Sequence, residues 1–192
     1  MRLDHVIYGT SDLDSAQARI ESELGLAVHP GGHHEGQGSG NRIVPLGGGY
    51  LELMTIDDPE EAAASPIGRV LLDMLPGEAL RAYAVFVDDL HAHAERLGLE
   101  LHTVRRGGLE AYVAGAPEAL SEPFLPFFIG SNSRGPRPGD AGDAGGLTWI
   151  EVAGDEQRLN DWLGGAELPI RVVEGAPAVR AIGIGEREFR TS

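Results

Sequence analysis

The sequence repeats one supersecondary pattern, and this repeat limits the choice of fold more than any other feature. A strand, a helix that ends at a glycine and further strands occur twice. Aligning Asp12 with Asp89 superposes the two strand–helix units at an offset of 77 residues. Internal repetition at a fixed spacing indicates that one structural unit is used more than once. The sequence therefore predicts two β-α-β-β-β modules, over residues 1–56 and 80–130.

The first module is defined by its hydrophobic pattern. Strand-like apolar runs cover residues 3–9, 26–29, 41–46 and 50–56. Between the first two runs, Leu13 and Ile20 recur at helical spacing, Asp12 stands where a helix cap is expected, and Gly25 ends the pattern. Residues 30–40 are rich in Gly and His, which predicts a loop.

Two connections join the repeated units. Residues 57–75 begin polar and Ala-rich and become apolar, which predicts a helical connection between the two modules. Residues 131–146 are rich in Gly, Pro, Ser and Asp, which predicts a mobile loop, a lid or a plain spacer after the second module.

A third, truncated β-α-β-β copy is predicted over residues 147–185. Asp155 stands at the expected helix cap, and Gly164 ends that helix. Each unit has a mixed sheet with one face covered by its helix, so the other face packs on or curls around a neighbouring sheet. We therefore predict an α+β fold in a single domain, residues 1–192, with paired modules and curved sheets around a cleft.

The composition excludes several classes of protein. A formal net charge of −15 opposes binding to nucleic-acid phosphates. The absence of cysteine excludes a disulfide framework and a thiolate metal site. No apolar run approaches the roughly 18 to 20 residues that span a bilayer, and the N-terminal residues show no signal-peptide core. We therefore expect a cytoplasmic protein that binds neither nucleic acid nor membranes.

The first module opens with Leu-Asp-His-Val at residues 3–6, continues with Asp12-Leu13 and has Glu52 in the strand over 50–56. In this order the motifs resemble the first module of the vicinal-oxygen-chelate (VOC) superfamily, which has the glyoxalase, bleomycin-resistance and dioxygenase fold. Residues 31–41 match the pattern Gly-Gly-x-His-x-Gly-x-Gly-x-x-Asn of the glyoxalase-like domain subgroup, and residues 125–129 also resemble it. The resemblance covers nearly the whole chain.

The resemblance implies a cleft between two modules, in which many members hold a divalent metal. The family's ligands are a His or Gln on the first strand and a Glu on the last, which correspond to His5 and Glu52. Imidazole and carboxylate donors suit Zn²⁺, Mn²⁺, Fe²⁺ or Ni²⁺. Strand alternation supports this, since Leu51 and Leu53 can pack under the helix while Glu52 faces the cleft and needs a partner there.

The other copies depart from the family pattern. Ala82 matches His5 and Gly130 matches Glu52, and neither residue can bind a metal. In the third copy Trp149 matches His5, and Glu151 lies two residues further on, on the same face of the strand. We predict Glu151 as a third metal ligand, with a surface carboxylate as the alternative.

Polar and aromatic side chains are predicted around this centre. His34 and Asn41 match the subgroup pattern and lie among glycines, where the backbone can fold over a ligand. His34 is predicted to orient a ligand or carry a proton. The predicted catalytic residues are Glu52 and His34, and the predicted substrate-binding residues are His34, Asn41, Phe128 and Trp149.

Two functions from different classes remain at this stage. The first is a metal-assisted lyase, isomerase or dioxygenase acting on an oxygen-rich small molecule. The second is a metal-free protein that binds or sequesters a small molecule, as resistance proteins of this fold do, and the loss of ligands in the second module favours it. Fold alone does not decide between them. In both, the partner is a small molecule, and a homodimer formed through sheet edges is expected.

Overall fold

The computed structural model describes residues 1–106, 109–130 and 137–191. The strands are β1 Arg2–Gly9, β2 His29–His34, β3 Ser39–Pro45, β4 Tyr50–Ile56, β5 Ala79–Phe86, β6 Leu101–Arg106, β7 Leu109–Ala114, β8 Phe127–Ile129, β9 Leu147–Ala153, β10 Ile170–Val173, β11 Ala178–Ile184 and β12 Arg187–Arg190. The helices are α1 Leu13–Leu24, α2 Pro59–Ala64, α3 Pro66–Met74, α4 Leu90–Leu97, α5 Ala116–Ser121 and α6 Glu156–Leu163.

The first eight strands form a closed barrel from two modules of identical topology. The strand order is β1-β4-β3-β2 in the first module and β5-β8-β7-β6 in the second. In each module the first strand pairs in parallel with the last. The modules join through the antiparallel pair β1–β5 and through the antiparallel pair β2–β6, in which His34 pairs with Arg106. The predicted paired modules are confirmed.

The helix boundaries follow from the capping residues that the repeat shares. Asp12 accepts hydrogen bonds from the backbone N–H groups of Asp14 and Ser15 at the start of α1. Asp89 does the same for α4, accepting from Ala92. Both helices end at a left-handed glycine, and Gly25 has φ 65° there.

The prediction of a loop over residues 30–40 is wrong, because most of this segment is a β-hairpin. β2 covers His29–His34 in spite of its Pro and two Gly residues, and β3 begins at Ser39. The pairing of β2 with β3 is interrupted between Pro30 and His33. Pro and Gly weaken the local strand signal, and the tertiary pairing of the hairpin overrides it.

The C-terminal unit has the three strands and the helix predicted over residues 147–185, which are β9, α6, β10 and β11. β12 adds a fourth strand beyond these residues, and the strand order is β10-β9-β11-β12. Its first strand, β9, lies between β10 and β11 and does not pair with the last strand, so its topology differs from that of the barrel modules. The two sheets share one core, in which Ile150 and Ile182 belong to the same cluster as Val6 and Tyr83.

Three helices lie outside the repeated pattern. The predicted connection over 57–75 consists of α2 and α3, which Ser65 separates, and α5 stands between β7 and β8. Leu71 of α3 and Leu120 of α5 belong to one buried cluster with Phe127 of β8. These helices therefore cover part of the barrel interior and leave a cavity beside it.

The predicted loop or lid over residues 131–146 lies partly outside the described residues, since residues 131–136 are not among them. The part from 137 onwards packs on the turn between β3 and β4. The backbone N–H of Gly47 donates to the carbonyl of Gly139, and that of Gly146 donates to the carbonyl of Leu46. The described part of this segment is therefore held against the first module.

Candidate functional site

A cavity of about 470 Å³ opens into the barrel between the two modules. Its polar end is lined by His5, His34, Glu52 and Arg106, and its remaining wall is mainly apolar. Concave sites of this size with a few convergent polar groups are typical small-molecule sites.

Glu52 is the centre of the polar end. Its Oε2 lies 3.6 Å from Nε2 of His5, and its Oε1 lies 3.6 Å from Nε2 of His34. Oε1 also accepts a hydrogen bond from the side-chain amide of Asn41 and lies 3.8 Å from Nη1 of Arg106. The carboxylate is only 4% exposed. It therefore depends on these four side chains for its stabilisation.

A β-bulge places Asp4 beside His5. On β5, Leu3 pairs with Val85 and His5 pairs with the next residue, Ala84, so the pairing skips Asp4. A bulge re-aims side chains, and here two consecutive residues line the same cavity. Oδ2 of Asp4 lies 2.9 Å from Nδ1 of His5.

This contact determines the tautomer of His5. A carboxylate only accepts hydrogen bonds, so Nδ1 of His5 carries the proton and donates to Asp4. Nε2 then has its lone pair free and faces Glu52. The ring is also fixed by stacking on Tyr50, with centroids 4.5 Å apart. Asp4 itself forms an ion pair with Arg137.

The β2–β3 hairpin supplies His34 and Asn41. Nδ1 of His34 lies 2.9 Å from the hydroxyl of Ser39, which leaves Nε2 directed at Glu52 and Asn41. Oδ1 of Asn41 accepts a hydrogen bond from the backbone N–H of Gly32, 2.9 Å away. The amide of Asn41 is therefore oriented by the hairpin backbone.

The charge states of the cluster follow from burial and from the neighbouring groups. Burial lowers the pKa of His5 to about 4, although Glu52 opposes the shift. Burial also lowers the pKa of His34. For Glu52, burial acts to raise the pKa, but His5, His34, Arg106 and the Asn41 hydrogen bond outweigh it and the pKa falls below its usual value. Near neutral pH the cluster is therefore one carboxylate facing two neutral imidazoles.

Acid is expected to destabilise the protein between pH 6.5 and pH 4. His5 and the buried His93 both have pKa values lowered to about 4. Because the unfolded chain binds protons more readily in this window, stability is lost as the pH falls through it, by up to about 3 kcal/mol per imidazole. Urea unfolding at several pH values measures this loss.

The His93→Phe variant is the matched test, since His93 lies outside the cavity and its ring already packs on Phe128 at 4.0 Å. The variant should lose less stability between pH 6.5 and pH 4 than the wild type. Equal losses in both proteins would show that His93 does not contribute to the acid response.

The donor types in the cluster suit a divalent cation. Nε2 of His5 presents a lone pair to the carboxylate of Glu52, and a cation between them would attract both groups. Among residues 1–106, 109–130 and 137–191, however, no group of three or more His, Cys, Asp and Glu side chains is arranged to hold a metal ion. The donor types of His5 and Glu52 therefore suit a cation, but the described residues around them do not form a three-ligand centre.

Glu151 and Trp149 do not join this cluster, and the prediction that they line the site is corrected. Both stand on β9, in the four-stranded sheet rather than in the barrel. The carboxylate of Glu151 pairs with Nη1 of Arg190 at 2.6 Å. The ring of Trp149 lies 4.1 Å below the guanidinium of Arg171. The third copy therefore resembles the first only in its opening strand and helix, because its strands pair in a different order.

Phe128 also points away from the cavity. It is fully buried, and its ring packs on His93 at 4.0 Å and on Trp162 at 5.9 Å. Its neighbour Phe127 lines the cavity and lies edge-on to His5 at 5.3 Å. Alternation along a strand requires that only one of two neighbours faces inward, and the sequence does not indicate which.

The counterpart of Glu52 in the second module is Phe127 rather than Gly130. Ile7 pairs with Glu52 in the first module, and Ala84 pairs with Phe127 in the second. Ala84 follows Ile7 at the same offset of 77 residues that relates the two helix caps. The polar end of the cavity is therefore supplied mainly by the first module.

Arg106 and Asp4 are site residues that the motif analysis missed. Arg106 ends β6 and reaches the cavity because β6 closes the barrel against β2. In the sequence it is only half of an isolated Arg-Arg pair. The one signal for Asp4 is its place before His5, where strand alternation would direct it away from the site.

Known proteins show the class of this fold. The sequence profile of the glyoxalase-like domain family matches residues 3–165. The chain therefore belongs to the glyoxalase-like domain family and has the VOC fold. No curated protein matches it.

Among the helices of the described residues, none has the length and apolar character needed to cross a membrane.

Solved structures agree with this class. A hypothetical protein from Staphylococcus aureus is 14% identical with a TM-score of 0.70, and the match covers 94% of this chain and 89% of that one. A single-residue variant of methylmalonyl-CoA epimerase from Streptomyces coelicolor, in complex with 2-nitronate-propionyl-CoA, is 20% identical with a TM-score of 0.51, over 71% of this chain and 99% of that one. At these identities the likeness concerns the fold.

Proposed function

We propose that this protein is a metal-assisted enzyme of the lyase, isomerase or dioxygenase type, acting on a small oxygen-containing molecule bound in the barrel cavity. The observation that carries the proposal is the buried Glu52 carboxylate, which has Nε2 of His5 and Nε2 of His34 each 3.6 Å away. Neutral imidazoles and an ionised carboxylate are the protonation states that metal ligands require. The epimerase among the structures of the same fold supports an isomerase by analogy only.

The chain's own residues divide into binding and proton-handling groups. A divalent cation held by His5 and Glu52 would polarise a substrate oxygen. The lowered pKa of His34 keeps its imidazole neutral, and because His34 lines the cavity it can accept a proton from a bound substrate. Asn41 holds the carboxylate of Glu52 in place, and Asp4 keeps the His5 tautomer that leaves Nε2 free.

Metal binding is tested directly on purified protein. After treatment with EDTA, addition of Mn²⁺, Ni²⁺ or Zn²⁺ at about 100 times its Kd should stabilise the fold by about 2.7 kcal/mol, which raises the Tm by several degrees. Elemental analysis should find the metal in the wild type. The His5→Ala variant should lose both effects.

The exposed His91 on α4 supplies the matched control. The His91→Ala variant should bind the cation as the wild type does. Equal metal content in the wild type and in His5→Ala would contradict a centre at His5.

A metal-free binding or sequestration protein is the second candidate, and two observations favour it. No three-ligand arrangement exists among the described residues, and Arg106 already supplies a positive charge 3.8 Å from Glu52. In that case small molecules would raise the Tm in the presence of EDTA and cations would not. The cytoplasmic location and the homodimer stay predictions of the sequence.

A further inference from the structure

Most of the cavity wall is apolar. The side chains of Leu71 on α3 and Leu120 on α5 line it together with Met54, Val113 and Phe127 of the strands. They belong to the cluster of buried residues that fills the rest of the barrel interior. The polar cluster around Glu52 therefore forms one part of the lining, and these five side chains form an apolar part.

Helices from outside the repeat build this wall. α3 belongs to the connection between the modules, and α5 stands between β7 and β8. Since apolar area removed from water stabilises a complex by about 25 cal/mol per Å², such a wall favours a ligand with an apolar body over a uniformly polar one.

Arg106 can bind one end of the ligand and so fix its orientation in the cavity. Its side chain is 14% exposed and lines the cavity, and its ion-pair partner in the described part of the chain is Glu52 at 3.8 Å. Within residues 1–106, 109–130 and 137–191, its guanidinium makes no hydrogen bond to another side chain or to the backbone. A guanidinium carries five N–H donors, and partly buried donors need acceptors. An oxygen acceptor on the ligand would satisfy them.

We propose that the ligand is an apolar chain or ring with a single carboxylate or carbonyl head group. The head group binds Arg106 at the polar end, and the apolar body lies against Leu71, Leu120 and Phe127. This inference rests on the proposed function only in that the barrel cavity binds a small molecule. It does not require the cation.

A chain-length series tests the apolar wall. Butanoate, hexanoate, octanoate and decanoate are titrated into the full chain by calorimetry, in EDTA. Each buried methylene should tighten binding about fourfold, until the chain fills the cavity. Affinity that does not change with length would overturn the proposal. Binding of glycerol or short sugars in preference to these acids would do the same.

The head group is tested with Arg106→Gln. The variant should bind octanoate about 10- to 100-fold more weakly, as expected for the loss of a charge-assisted hydrogen bond, and should bind 1-octanol like the wild type. 2-Octanone identifies a carbonyl head group if it binds the wild type better than octanoate does. Arg105→Gln is the control, because Arg105 is exposed, pairs with Glu110 at 2.9 Å and does not line the cavity. Equal octanoate binding by Arg106→Gln and the wild type would refute the role of Arg106.

A third variant locates the apolar body. Ala111 lines the cavity on β7 opposite Val104. Ala111→Phe should leave butanoate binding within about twofold and weaken decanoate at least tenfold, since only the longer chain needs the lost space. Ala63→Phe, on the exposed part of α2, should bind both acids normally. Equal weakening of both acids by Ala111→Phe would contradict the assigned direction of the chain.

The outcomes separate this inference from the proposed function. Length-dependent binding in EDTA, with no stabilisation by cations, supports the ligand class and refutes the metal-assisted reaction. Stabilisation by a cation that depends on His5, with no dependence on chain length, refutes the ligand class and leaves the metal centre.

Discussion

Replacing Glu52 by Gln is expected to abolish cation binding and, at the same time, to raise the free energy of unfolding. In the wild type an ionised carboxylate is buried with Nε2 of two imidazoles 3.6 Å from its oxygens. The amide of Gln donates to an imidazole nitrogen and keeps an oxygen for the Asn41 amide, so the imidazole and the Asn41 amide both keep a complementary partner. Replacing buried charge by a satisfied neutral group is often stabilising, by about 1 kcal/mol or more.

The measurement combines urea unfolding with cation titration by calorimetry. We expect at least a 100-fold loss of cation affinity in Glu52→Gln, since a direct ligand matters more than its supporting partners, which account for about 10- to 100-fold. Glu151→Gln is the matched control, because Glu151 pairs with Arg190 on the other sheet. It should bind the cation like the wild type.

The opposite result for stability is equally informative. A loss of several kcal/mol in Glu52→Gln would show that the carboxylate serves mainly as the counter-ion of Arg106, which lies 3.8 Å away. Loss of cation binding in Glu151→Gln would show that Glu151 is a ligand of the cation after all.

Replacing Gly31 by Ala is expected to cause a large loss of stability. A β-carbon at this position would overlap both the side-chain oxygen and the carbonyl oxygen of Asn41. Backbone cannot give way as a flexible side chain can, so we expect a loss of about 3 kcal/mol. For a chain of this size the Tm should fall by roughly 6 to 12 °C.

The same change should reach the site through Asn41. Displacing its amide removes the hydrogen bond that orients Glu52, so cation affinity should fall about 10- to 100-fold. Gly32→Ala is the adjacent control, since its β-carbon would meet only the flexible Arg106 side chain, with Cγ at 3.1 Å. Similar Tm values for the two variants would show that the hairpin absorbs a methyl group at Gly31 without strain.

The packing of Gly31 and Gly32 explains part of the subgroup motif in physical terms. The motif places these two glycines ten and nine residues before Asn41. The first leaves room for the asparagine, and the backbone N–H of the second binds its oxygen at 2.9 Å. The sequence pattern singled out Asn41, and in the hairpin the side-chain amide of Asn41 donates a hydrogen bond to Glu52.

Much of the fold could be predicted from the sequence. The 77-residue repeat, the caps at Asp12 and Asp89 and the glycines that end the helices are local features, and each recurs in the structure. The positions of His5 and Glu52 on the first and last strands of one module follow from the same repeat. These features depend on the periodicity and capping of residues that are neighbours in the sequence, so they can be predicted without knowing the tertiary structure.

What only the tertiary structure decided is which strands meet. Arg106 reaches Glu52 because β6 closes the barrel against β2, and a bulge against β5 turns Asp4 towards His5. β9 enters a separate sheet and takes Glu151 away from the cavity. Pairing between distant strands, their register and their bulges arise from long-range packing, so residue spacing within one segment cannot predict them.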